Sequence, residues 1–548
     1  MIPNNHTYDM SLMTENLLLQ AQRLRLDGDI DTSIDLLRIV VKQCNSDLQI
    51  DEKRSTDDVD DNSSTSECKL ESDSLVVLQL RETAAYQLAL LLLQRSGRRC
   101  NSTYINANDD TIQKKKSDDD ETEADNILSK LGYRLRLSKL ACGYPICNCN
   151  QQQKRCSNTH SNASSICNCN QQQKRYNNTQ PTTSSPISAV VIDDILSSSI
   201  FNALQHAYRP QSKYWSELYN KVNSTTTTKN QFASHNIPLP TNTLPSSILE
   251  QVAILVQQQL QDDFPDIIHA TSVEVWSHKR PTDGEHQLHY DMDEIRLWKH
   301  RKGSIKQGED GAKRQKTNPK SIDGISCPIV SCVLTVNIPS KQLGCSVCGE
   351  TGNSNPTIIC NQSILDQGSS SNVGCLCYPY PNRLLAFDGS LLHGVVPGIP
   401  QETSATLDDD ESSSSEDSYY MQDTPKTKPV SDDDNQRVTL MLGFWKEVCL
   451  ADDSEDIGPN VPFDSVSCSW KEEFNPVDLK DHDATHRGTK STQFLNNIID
   501  PLWVKIVPNN EKDFGRYTTA DSSAKQCGRF FLETIDSRDI DSKVLSGT

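Results

Sequence analysis

Apolar positions recur at three- and four-residue intervals through NLLLQAQRLRLDGDIDTSIDLLRIVVKQ (16–43), on both sides of Asp27-Gly28-Asp29. That period lines one face of a helix and the Asp-Gly-Asp interruption carries turn chemistry, so the stretch predicts a helical hairpin. ETAAYQLALLLLQRSGR (82–98) opens a second hairpin, whose partner EADNILSKLGYRLRLSKL (123–140) follows a polar insertion at 101–120. Past residue 187, AVVIDDILSSSIFNALQHAY predicts a helix and KYWSELY an aromatic cluster. SSILEQVAILVQQQLQDDFP predicts a further helix, capped by Ser246 or Ser247 and ended before Pro265. From Ser272 the texture changes to short strands between turn residues: SVEVWSHKR, QLHYDM, IVSCVLTVNI, TIIC, RLLAF, HGVVP and RVTLMLGFW. Such a series predicts a barrel or sandwich.

The chain therefore reads as an α+β multidomain protein. Helical hairpins occupy 1–142, a linker 143–186, a helical segment 187–271, a β domain 272–510 and a tail 511–548. The linker carries ICNCNQQQKR twice, at Ile146 and Ile166. Cys-Asn-Cys is a conceivable metal ligand set, but a duplicated Gln/Asn-rich tract reads better as linker expansion. A basic insertion (299–320) and an acidic, Ser-rich one (400–435) interrupt the strands. Lys313-Arg314-Gln315-Lys316 reads as a solvated loop in preference to a nuclear import patch.

Composition narrows the classes. Only 35% of the 548 residues are hydrophobic, and the net charge is −20. That charge argues against nucleic acid and anionic membrane as partners, since phosphate contacts need clustered Lys and Arg. The longest apolar run, Leu88–Leu93, falls far short of the roughly 20 residues of a membrane span. MIPNNHTYDMSLMTEN shows no secretory pattern, so the 19 cysteines are expected as reduced thiols and the protein in the cytoplasm or nucleus. No oligomeric state is read from the sequence.

GEHQLHYDMDE (284–294) crowds His286 and His289 against Asp291, Asp293 and two glutamates. On a strand His289 and Asp291 share a face, their Cα atoms roughly 6.6 Å apart, close enough to hold one cation. Asp293 lies about twice as far along, too distant to chelate with His289. His286 would face the other way, outside the coordinating set. In YPYPNRLLAFDGSLLHGVVPG a strand and the turn Asp388-Gly389-Ser390 lead to His393. Two histidines and a carboxylate with open positions make the facial triad of non-haem iron sites. On QRVTLMLGFW, Arg437 and Thr439 share a face. An arginine aimed into a barrel requires an anionic partner, and its planar guanidinium suits a carboxylate.

In order and texture these stretches resemble the Fe(II)/2-oxoglutarate-dependent dioxygenases, most closely the prolyl-4-hydroxylase-like branch. The resemblance runs from about Ser272 to Glu447. It rests on His-x-Asp, a distal His followed by Gly-Val, and Arg-x-Thr. It implies a double-stranded β-helix (jelly-roll) domain in which His289, Asp291 and His393 hold Fe(II). Arg437 and Thr439 would bind the distal carboxylate of 2-oxoglutarate, with ascorbate as a candidate co-reductant. The interval from His393 to Arg437 exceeds the family's usual spacing, and the acidic insertion fills it; long loops between neighbouring strands carry little entropic cost. Ala21, Leu24, Gly28 and Ile34, then Ala85, Leu88 and Gly97, resemble tetratricopeptide positions. An ordinary helical bundle stays open, because the signature Trp and Pro are missing.

The implied activity is hydroxylation of a protein or peptide side chain, proline being a candidate, with release of succinate and CO2. Oxidation of a small molecule and a non-catalytic helical-repeat scaffold are the alternatives. Trp276, Arg280 and Tyr290 are candidates for the substrate channel or for packing. Cys345 and Cys348, with Cys360, Cys375 and Cys377, have the spacing of a structural zinc clip, against an ordinary cysteine-rich loop.

Overall fold

The computed structural model describes residues 6–26, 29–57, 67–102, 110–131, 133, 135–142, 187–219, 234–239, 244–281, 286–297, 299, 325–338, 355–365, 372–397, 436–451, 460–463, 469–478, 486–491 and 498–506. The repeat-bearing linker, residues 300–320 and 400–435, Cys345, Cys348 and the tail from 511 lie outside these. Contacts divide the chain into two compact units, one of Met1–Leu91 with 399–435 and one of Leu92–Gly398 with Gln436–Thr548. Among the described residues no helix is long and apolar enough to cross a membrane.

In the first unit, α1 (His6–Leu26) and α2 (Ile30–Asp57) pack as a hairpin. Of the positions named from the sequence, Ala21 and Ile34 are buried, together with Leu18 and Leu37, while Leu24 is only half-buried. Asp29 caps α2 by accepting the Thr32 N–H at 3.1 Å, and the Ser33 hydroxyl donates to Ala21 O at 2.8 Å. The third helix, α3 (Glu67–Ser102), continues into the second unit.

There α3 meets α4 (Asp110–Lys130), through Ser96 Oγ to Ser117 O at 3.0 Å and Arg95 to Asp120 at 2.7 Å. The helix expected over 123–140 therefore starts earlier and stops at Lys130. Its second half is β1 (Leu135–Leu137) and a short α5 (Lys139–Cys142). Arg136 explains the break. Its guanidinium, 1% exposed, turns back onto Asp125 and onto Glu121, at 2.5 Å from the latter, and β1 pairs antiparallel with Trp503–Lys505. Partners distant in sequence override the local helical period here.

Two sheets form the body of this unit. Their strands, in chain order, are β2 (Ala189–Asp193), β3 (His235–Pro238), β4 (Ser272–Pro281), β5 (His286–His289), β6 (Val330–Asn337), β7 (Thr357–Ser363) and β8 (Gly374–Cys377). β9 (Leu384–Asp388), β10 (Leu391–Val395), β11 (Gln436–Trp445), β12 (Val461–Pro462), β13 (Thr489–Lys490) and β14 (Ile498–Ile499) follow, while β15 (Trp503–Lys505) forms a separate two-stranded sheet with β1. The larger, mixed sheet runs β12-β3-β4-β11-β6-β9-β2-β13 and the smaller β14-β8-β7-β10-β5. AVVID, expected in a helix, is β2: its β-branched residues pair with β9, and the helix α6 (Ser198–Ala207) begins only after it.

Period-two alternation along β11 sorts its side chains between two cores. Val438, Leu440, Leu442 and Phe444 face α6 and α7 (Ile248–Leu260). Ser247 caps α7, accepting the Glu250 N–H at 3.2 Å. Met441 faces the other way, packing with Trp276, Val333, Ile359, Phe387 and Leu391 between the two sheets. The KYWSELY cluster forms as expected, with Tyr214 and Trp215 against Tyr208, Trp470 and Phe474 on the helical side.

Candidate metal centre

β5 and β10 pair antiparallel with His289 directly opposite His393. The rings stand 4.3 Å apart, centroid to centroid. Asp291 follows β5, not on the strand itself but in the irregular segment after it. Its Oδ1 lies 3.6 Å from Nε2 of His289 and 3.6 Å from Nε2 of His393. The three ligand atoms lie within 4.8 Å of one another, and among the described residues these three are the His/Cys/Asp/Glu group able to hold a metal.

The tautomers and lone pairs suit a cation. His393 Nδ1–H donates to Leu391 O at 3.0 Å, which leaves Nε2 as the free base. That Nε2 is buried and makes no hydrogen bond. Asp291 is 8% exposed, and its second oxygen, Oδ2, accepts the Ser331 hydroxyl at 2.7 Å. Burial works against the Asp291 charge, but the neighbouring His393 and His289 and the Ser331 bond outweigh it and hold the carboxyl well below the usual range. Burial likewise disfavours protonation of His393, and the adjacent Asp291 more than reverses that. A buried carboxylate that favours the protonated form of the facing His393 draws a divalent cation for the same reason.

Asp293 is not part of the set. It is fully buried and accepts the backbone N–H of Arg296 at 2.9 Å and of Cys449 at 2.8 Å, pinning the segment that carries Asp291. His286 departs from expectation. Val395 pairs with His286 and His393 with His289, so between these pairs two residues of β5 stand opposite one of β10. This bulge turns His286 to the site's side, where it stacks on His289 with centroids 4.3 Å and planes 13° apart. Its other neighbour is His278, at 5.5 Å.

On the inner face of the large sheet, β11 pairs with β4 so that Arg437 stands opposite Arg280, Thr439 opposite His278 and Met441 opposite Trp276. Arg437 is buried and donates through Nη1 to Asn355 O at 2.6 Å. Thr439 is buried too, beside Thr335 on β6. Burial, and then the positive Arg280, His289 and Arg437, hold His278 well below its usual pKa. Ser331 and Thr335 escaped the sequence reading, although IVSCVLTVNI sets them two positions either side of Val333 on one face. Two hydroxyls at even spacing in an otherwise apolar strand were the available signal.

Tyr290 accepts at its hydroxyl from Gln362 Nε2, 3.2 Å away, and Trp276 belongs to the inter-sheet core. Cys360, Cys375 and Cys377 are buried free thiols on β7 and β8 and form no metal-holding group among the described residues. Burial pushes the Cys377 thiol up to about 12, and Cys345 and Cys348, the other members of the expected clip, lie outside the described residues.

No protein-family model matches the chain, and neither does any curated protein. Among solved structures it is similar to a prolyl-4-hydroxylase of Pseudomonas putida, at 11% identity and a TM-score of 0.24, over 48% of this chain and 89% of that one. It is also similar to HygX of Streptomyces hygroscopicus. The form with nickel and 2-oxoglutarate bound gives 9% identity and a TM-score of 0.19 over 47% of this chain and 83% of that one. The iron-bound form gives 11% and 0.19 over 50% and 92%. At these scores the functional reading rests on the residues themselves.

Proposed function

We propose that the two facing sheets form a double-stranded β-helix and that the protein is an Fe(II)- and 2-oxoglutarate-dependent oxygenase. The observation that carries this is the division of atoms around Asp291. One carboxylate oxygen faces two buried or half-buried Nε2 atoms at equal distance, while Ser331 and Leu391 occupy the remaining polar atoms of Asp291 and His393. His289, Asp291 and His393 would hold Fe(II) by one face, the geometry of non-haem iron oxygenases. When bound, iron supplies oxidative decarboxylation: 2-oxoglutarate, dioxygen and a substrate C–H become succinate, CO2 and the hydroxylated product.

The protein's own side chains bind and orient. Arg437 and Thr439, with Thr335 beside them, would take the distal carboxylate of 2-oxoglutarate. Support comes from the ladder: Arg437 stands directly opposite Arg280 on one face, which concentrates positive charge where an anion would bind. Trp276, Val333, Phe387 and Met441 pack the space between the sheets and exclude water from the reacting end. By the resemblance stated at the outset, the substrate is a protein or peptide side chain, with proline as the candidate.

The test is succinate release from 2-oxoglutarate under air with added Fe(II). Wild type is expected to turn over, and His393→Ala is expected to lose activity. Equal rates in the two would remove the assignment. Peptides carrying an added oxygen by mass spectrometry would identify the substrate class, and oxygen found only on small metabolites would replace it.

A further inference from the structure

Ser331 sits on β6 between β11 and β9, opposite Gly443 on one side and Phe387 on the other, with 1% of its surface exposed. Two ladders thus fix its backbone. Its hydroxyl donates to Asp291 Oδ2 at 2.7 Å, on the side of the carboxylate away from the two imidazole nitrogens. An unrestrained carboxylate can turn and offer a cation both oxygens, filling an additional coordination position. We propose that Ser331 is a positioning residue that holds Asp291 to a single coordinating oxygen and so keeps the remaining positions of the metal open. This rests on the reading of His289, Asp291 and His393 as a divalent-metal site, and it assigns a role to a side chain that touches neither metal nor substrate. Partners of this kind fix ligand orientation and typically account for ten- to a hundredfold in metal affinity.

The experiment is titration of the full chain with Co(II), whose visible absorption intensity reports coordination number. Ser331→Ala is expected to lose about tenfold or more in Co(II) affinity and to show a changed absorption intensity. Ser331→Thr keeps the hydroxyl and is expected to restore both. Ser331→Cys keeps the volume with a weak donor and is expected to fall between them, which tests the idea even if the alanine variant is poorly folded. Wild-type affinity and spectrum in Ser331→Ala overturn the positioning role. So does equal impairment of the alanine and threonine variants, which marks a packing effect. His393→Ala separates the two layers of argument. If wild type binds Co(II) and His393→Ala does not, the metal site stands whatever Ser331 does; if wild type binds none, site and positioning role fall together.

Discussion

His289 and His393 face each other across the β5–β10 ladder with ring centroids 4.3 Å apart. The two donors come from distant parts of the sequence, so the site exists only where this pairing has formed. On the proposed function, metal binding would then be coupled to folding. Excess Co(II) is expected to raise the unfolding temperature, in line with roughly 2.7 kcal/mol at a hundredfold excess over Kd. A chelator should reverse the shift and His393→Ala should abolish it. Differential scanning calorimetry checks this, and an equal shift in wild type and His393→Ala would count against the site.

On the proposed function, Arg437 would separate binding of cosubstrate from binding of metal. Its guanidinium is buried and donates through Nη1 to Asn355 O at 2.6 Å. Lysine keeps the charge but loses the planar fork. Arg437→Lys is expected to raise KM for 2-oxoglutarate by about tenfold or more, the scale of a charge-assisted hydrogen bond. Co(II) affinity should stay within about twofold of wild type, since no ligand is touched. Parallel loss of both affinities would place Arg437 in the fold and not in the anion site.

The turn that delivers His393 tolerates no side chain at Gly389. A Cβ there would lie 2.4 Å from Pro328 O and 2.9 Å from its carbonyl carbon, both backbone atoms. Gly389→Ala must move the β9–β10 turn or the segment before β6, at roughly 2 kcal/mol or more. The expected result is a lowered unfolding temperature together with weaker metal binding, because the same turn sets the start of β10. Unchanged denaturation midpoints in urea would contradict this crowding.

The sequence disclosed the parts of this site in which local pattern and tertiary need agree. RVTLMLGFW alternates cleanly because one face meets helices and the other meets the second sheet, so Arg437 and Thr439 are placed by period alone. His-x-Asp was legible as a ligand pair by proximity in sequence, although Asp291 lies past the end of β5 and not on the strand face expected of it. His286 was not, because a bulge is a property of two strands paired and not of either alone. AVVID lost its strand to the helical pattern that follows it, and LRL at 135–137 lost its own to the helix before it. Both pair with strands supplied from far along the chain. Ser331 offered only a hydroxyl at even spacing in an apolar strand, because a serine acquires its role only once Asp291 is brought beside it.

Glu274 makes a pH prediction whose sign is fixed. It is buried on β4 and accepts from the Ser234 hydroxyl. Burial pushes its carboxyl up to about 8 from an ordinary 4.5, with Ser234 opposing and the negative Asp291, Glu294 and Asp293 adding to the rise. A folded-state value above the unfolded one means that the native protein keeps a proton the unfolded chain has released. The associated stability is present in full below about 4.5 and is lost as pH rises through about 8. Glu274→Gln has no proton to lose and retains a carbonyl for Ser234. Its stability relative to wild type is therefore expected to grow between pH 5 and 8, reaching on the order of a few kcal/mol. His235, pushed down to about 4 by burial and then by Lys471, titrates in both variants and cancels in the difference. Urea midpoints for the two proteins across this range should diverge with rising pH, and parallel curves would show that Glu274 is ionised in the folded chain.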